Sequence, residues 1–172
     1  MFRYLKSSIG RKQIVAVSGL AMVGFLIAHL SGNFLIFKGP EALNEYSDFL
    51  HSLGALLWVA RIGLIVAFVA HFGIIIQLVI ENRKARGSQY AKSIGASTRN
   101  FATQTMRYSG LLIFVYIFWH LYDFTYTPKL PYNSTVNGEF LGLYGLVWNS
   151  FLVPARSIFY IATMISIGFH LN

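Results

Sequence analysis

Not one of the 172 residues is cysteine. That excludes disulfides, thiolate zinc sites, cysteine-ligated iron–sulfur clusters and covalent c-type haem attachment. Charge is also scarce, at 12% of residues. A soluble domain carries about 25%, so too little charge is present to cover a globule in water. Acidic side chains are the rarest class, 6 Asp and Glu against 14 Lys and Arg, for a net charge of +8. Such an excess can mark nucleic-acid binding. In a chain that is 55% hydrophobic, with a mean hydropathy of +0.55, it instead indicates basic loops on one membrane face.

Long apolar runs separated by short polar stretches fill the rest. Four are long enough to span a bilayer, which takes about 20 residues. They run roughly over Val15–Phe37, Leu53–Ile80, Gly110–Tyr126 and Phe151–Leu171. The basic segment Met1–Gln13 ahead of the first run has the look of a signal peptide. The run is too long for a signal core and contains His29, so a retained helix is expected. The expected fold is all-α, a polytopic transmembrane helical bundle, as one domain over residues 1–172.

Basic residues set the orientation. Arg3, Lys6, Arg11 and Lys12 precede the first run, and Arg83, Lys84, Arg86, Lys92, Arg99 and Arg107 follow the second. The other two loops hold only Lys38 and Lys129. The positive-inside rule then puts the N-terminus and the second loop in the cytoplasm. Trp58 and Trp148 fall near the outward helix ends, where interfacial anchors belong.

Four of the five histidines, His29, His71, His120 and His170, fall one to each run. An ionisable residue inside a membrane is expensive and is a functional candidate. One alone can serve as an interhelical hydrogen-bond partner; one per helix calls for another explanation. The first and third helices run outward, which places His29 and His120 near the outer side. The second and fourth run inward, which places His71 and His170 near the inner side. The two levels differ by about 15 Å at the α-helical rise. Two histidines per level are too few for structural zinc, which wants four ligands. They suit iron in a porphyrin, which brings four nitrogens of its own and needs axial ligands.

Other residues carry two readings each. Gly24, Gly32, Gly73 and Gly168 lie near the histidines, either to admit a flat macrocycle or to let helices pack closely. Arg61 and Arg156 lie within helices, close to the outer level. They either neutralise haem propionates or snorkel to the interface. Asp123, three residues after His120, is either an acceptor for that histidine or a residue of the helix end. Glu41, Glu45, Asp48 and His51 form a polar stretch facing outward. They either trade protons with a quinol or belong to a solvated loop.

The stretches SGLAMVGFLIAHLSGNF, HSLGALLWVARIGLIVAFVAHF, RYSGLLIFVYIFWHLYDF and SIGFHLN resemble the di-haem cytochrome b subunit of succinate dehydrogenase and fumarate reductase. The resemblance covers nearly the whole chain, with the four histidines in order. It implies a multi-pass anchor in a bacterial inner (cytoplasmic) membrane. It also implies two b haems, ligated by His29 with His120 and by His71 with His170, and partnership with a flavoprotein and an iron–sulfur protein. Electrons would pass between succinate or fumarate and a quinone, usually menaquinone in this class. A fifth helix would follow the fourth histidine, so a chain stopping at Asn172 is expected to be truncated at its C-terminus. Gly168 stands where some fumarate reductase members carry a Glu, which puts a proton path through that helix in doubt. The composition also admits a haem-free anchor or small transporter, or the cytochrome b of a hydrogenase or formate dehydrogenase.

Overall fold

The computed structural model describes residues 4, 7–85 and 101–171. Helix dominates them. Ser7 caps the first helix, α1 (Ser8–Asn33), by accepting from the Gly10 amide at 3.1 Å. A 3-10 turn, Phe34–Lys38, continues it. Gly39, at φ +107°, then turns the chain into α2 (Pro40–Ser52). The positive φ favours glycine, and Pro40 starts the new helix where its missing N–H costs nothing. Gly54, at φ +53°, makes a second left-handed turn into α3 (Ala55–Ala85).

Further along are α4 (Phe101–Leu121) and a π-helical turn, Tyr122–Tyr126. A short α5 (Pro131–Ser134) leads into β1 (Thr135–Val136), paired antiparallel with β2 (Glu139–Phe140). Asn137 and Gly138, both at positive φ, close that hairpin. Helices α6 (Gly142–Phe151) and α7 (Pro154–His170) follow.

Contacts gather into two compact units. Unit 1 holds residues 1–38 and 45–90, and packs α1 against α3. The pair is antiparallel: Arg11, near the start of α1, bonds Glu81, near the end of α3, at 2.7 Å. Unit 2 holds residues 39–44 and 91–172, and packs α4 against α7. There the side-chain amide of Asn44 donates to the Leu141 carbonyl at 2.9 Å and its oxygen accepts from the Tyr144 amide at 3.2 Å. Asn149 donates to the carbonyls of Asn133 and Thr135. Gly145 lies directly on the Ser134 backbone. These contacts fix α5, the hairpin and α6 as one knot.

Burial is inverted relative to a protein in water. The buried described residues include Ser18, Ser109, Ser134, Ser150, Thr163 and Asp123, whereas Val17, Leu20, Val59 and Ile158 are more than 60% exposed. In α3 the most apolar 18-residue window has a mean hydropathy of 2.5, and none of it is buried. A helix that apolar is stable only if its sides meet something other than water. Small and hydroxylated residues at the helix contacts, with apolar side chains outside, are the pattern of helices packed in lipid.

Among the described residues, two helices are long and apolar enough to cross a membrane, Ser8–Lys38 and Ala55–Lys84. A third crossing counts only if α6 and α7, bent by 92°, form one broken span. The all-α, membrane-type character is therefore present, but four separate spans are not shown. The physical reason is a break inside the last apolar run: Phe151 ends α6, Pro154 opens α7, and the two helices meet at 92°. The two outward loops expected from the sequence also hold structure. Residues 40–52 are helical, and residues 131–151 contain α5, the hairpin and α6.

Candidate functional site

His71 projects from α3 onto α1. Its Nδ1 lies 3.1 Å from the Val15 carbonyl and 3.4 Å from Ser18 Oγ. The Ser18 hydroxyl itself donates to the Ile14 carbonyl at 2.6 Å. A carbonyl only accepts, so the network assigns the ring proton to Nδ1 and leaves the lone pair on Nε2. Gly19 allows this approach, because a Cβ there would stand 3.3 Å from His71 Cε1.

Unit 2 repeats the device. His170, the last residue of α7, sets its Nδ1 3.0 Å from Ser109 Oγ on α4. Ser109 donates to the Met106 carbonyl at 3.1 Å. A Cβ on Gly110 would stand 3.2 Å from His170 Cε1. Each unit thus seats the histidine of its second helix in a Ser-Gly notch on its first.

The notch has a sequence signature that hydropathy does not reveal. Ser18–Gly19 and Ser109–Gly110 are each separated by nine residues from a histidine, giving Ser-Gly-x9-His twice. These four notch residues were not singled out from the sequence, although the repeat would have found them. Both leading-helix histidines also stack on an aromatic ring one turn earlier. Phe25 lies 5.3 Å from His29 at 18°, and Tyr116 lies 5.5 Å from His120 at 27°.

The notch fixes levels within each unit. His71 meets α1 at residues 15–19, and His29 lies ten or more residues further along that helix. His170 meets α4 at residues 109–110, and His120 lies ten further. At 1.5 Å per residue the separations are about 15–21 Å in unit 1 and about 15 Å in unit 2. Two histidines of one unit therefore cannot ligate the same iron.

The remaining candidates are engaged as follows. Arg156 Nη2 lies 3.5 Å from Asp123 Oδ1, and Tyr160 donates to Asp123 Oδ2 at 2.9 Å. Asp123 is 3% exposed and is held by these two groups. Tyr160 also stands beside the His120 ring, at 6.1 Å between centroids. Arg61 lies over the Trp58 ring at 5.3 Å, an interfacial cation–π contact. Glu45, Asp48 and His51 recur every three residues on α2 and are all exposed; His51 Nδ1 donates to the Ser47 carbonyl at 2.7 Å. Gly32 is explained by Tyr46, whose ring fills the place of a Cβ, whereas Gly24, Gly73 and Gly168 face open space. The basic residues Arg3, Lys6, Arg86, Lys92 and Arg99 lie outside the described residues. Arg83 and Lys84 close α3 and are exposed.

Among the described residues, no group of three or more His, Cys, Asp or Glu side chains converges to hold a metal ion. No protein-family model, curated protein or solved structure matches the chain.

Proposed function

We propose that this chain is a membrane-embedded cytochrome b that holds two haems, each between two imidazoles. The observation that carries the reading is the step of about 15 Å or more between the two histidine levels, made independently in both units. By the sequence-derived depths and the resemblance, His29 with His120 and His71 with His170 would be the ligand pairs. The donor chemistry fits at His71, whose Nδ1 faces the Val15 carbonyl, the arrangement that fixes a ligating imidazole with Nε2 turned to the metal; His170 sets its Nδ1 against Ser109 Oγ. Bound haem would supply one-electron transfer at each level. Arg61 and Arg156 are the cations available to propionates; Arg156 would exchange Asp123 for that role.

More particularly, we read the chain as the anchor subunit of a succinate dehydrogenase or fumarate reductase. That step rests on the four quoted stretches. The N-terminus and the loop after α3 face the cytoplasm, where the iron–sulfur and flavoprotein subunits dock. The quinone, menaquinone by resemblance, is handled near the outer level, with Glu45, Asp48 and His51 as proton-exchanging groups.

A redox spectrum of membranes containing the complex tests this. Succinate should reduce b-type haem, dithionite should reduce all of it, and a quinol analogue should reduce the outer fraction. Replacing His71 by Ala should remove or perturb one haem and spare the other. A His71→Ala protein with two spectrally normal haems would sink the ligand assignment. Reduction by hydrogen or formate, but not succinate, would reassign the complex, and absence of any haem band would leave a haem-free anchor.

A further inference from the structure

Helix α6 sorts its side chains by polarity the reverse way from a helix lying on water. None of its ten residues is charged. Asn149 turns inward and donates to the carbonyls of Asn133 and Thr135 at 3.1 and 3.0 Å. Gly145, Leu146 and Ser150 are buried beside it. The opposite side carries Trp148, which is 45% exposed, with Tyr144 stacked on it one turn earlier at 6.0 Å. The exposed apolar surface continues through the joint as Leu152 and Val153, and along α7 as Ile158, Ile161 and Ile165.

We propose that α6 is the in-plane arm of the joint with α7. It lies along one face of the bilayer, with Trp148, Leu152 and Val153 against membrane lipid at the boundary between headgroups and acyl chains. This surface lies within unit 2 and is independent of the haem reading.

Three observations meet here. The first is direction. The two helices are bent by 92°, so an α7 that enters the bilayer leaves α6 flat along its surface. The second is side-chain chemistry. Trp and Tyr pair an apolar ring with a polar handle and concentrate at the interface. The third is the backbone. Lipid withdraws the water that would otherwise satisfy helix ends and irregular turns, so the protein must satisfy them itself. At the start of α6 the Asn44 oxygen accepts from the Tyr144 amide, and its side-chain amide donates to the Leu141 carbonyl. At its end the Ser157 hydroxyl donates to the Phe151 carbonyl at 2.6 Å. A helix end in water can leave these groups to solvent. The neighbouring hairpin differs. It exposes Asn137 and Glu139, which belong on the watery side.

The absence of cysteine allows a nitroxide to be placed at one introduced residue at a time. Leu152→Cys, Trp148→Cys and, as the water-side comparison, Glu139→Cys are spin-labelled in the full chain in bilayer vesicles, together with any subunit that co-purifies. Unsubstituted protein taken through the same labelling gives the background. Collision with oxygen, which dissolves in lipid, is compared with collision with a neutral nickel chelate, which stays in water. We expect the oxygen-to-nickel ratio at positions 152 and 148 to be several-fold higher than at position 139. Leu152 is 65% exposed and decides the test if Trp148→Cys fails to fold. A ratio at position 152 no higher than at position 139 would place α6 in water and overturn the inference. Low collision with both reagents at position 152 would place a protein partner on this face, which overturns it equally.

Discussion

At the scale of single residues, the tightest constraint outside the histidines is Gly145. A Cβ there would run into the backbone of Ser134, which is fully buried and cannot swing aside as a side chain would. Overpacking of this kind costs about 1–3 kcal/mol. We expect Gly145→Ala to lower the thermal unfolding midpoint in detergent, while Gly138→Ala tests only the strain of a positive φ in the hairpin. Equal stability of Gly145→Ala and wild type would show that α5 and α6 separate easily. The histidines themselves were legible in the sequence, because an ionisable ring in an apolar run stands out by composition alone. Ser18 and Ser109 were not. Their role depends on which helix faces which, and an isolated serine in a membrane helix looks like ordinary packing. Asp123 was legible as a polar residue at a helix end. Its engagement by Tyr160 and Arg156 was not, since those partners lie more than thirty positions away.

At the scale of elements, apolar runs located the helices but misjudged their ends. Helix α1 begins at Ser8, before the apolar run, because Ser7 caps it and its first polar turn is carried by the helix behind. The stretch over α2 reads as a polar loop because its exposed face carries Glu41, Glu45, Asp48 and His51, while Leu43 is buried. The run over Phe151–Leu171 conceals a break, since α6 is as apolar as α7 and only Pro154 marks the join. The end of α3 carries the element-scale prediction. Arg83 and Lys84 are exposed there, and their positive charge favours either a protein partner or anionic headgroups. Neutralising Arg83, Lys84 and Arg86 together should weaken retention of the iron–sulfur and flavoprotein subunits. Undiminished co-purification, with weakened binding to anionic vesicles, would assign these charges to lipid.

At the scale of the whole molecule, the proposed haems, at levels about 15 Å apart, would be useful only if electrons entered at one and left at the other. On the proposed reading, with partner subunits on the cytoplasmic side, the quinone would be handled on the outer side and electron flow would cross the membrane field. That field is worth about 2.3 kcal/mol per charge per 100 mV. Succinate–quinone turnover in sealed vesicles should therefore respond to an uncoupler. Indifference with both haems intact would mean either an inner quinone site or compensating proton movement, and proton release measured on each side separates them. The right-angled joint between α6 and α7 bears on a different variable, the thickness of the lipid itself. A plain helix meets a mismatched bilayer by tilting. Helix α7 has a cross-piece at one end, turned through 92° and knotted to the hairpin, so tilting it would lever that knot out of place. If α6 and α7 form one broken span, a mismatched bilayer would have to deform around the joint. The acyl-chain length of the surrounding lipid would then be a variable to which this joint responds.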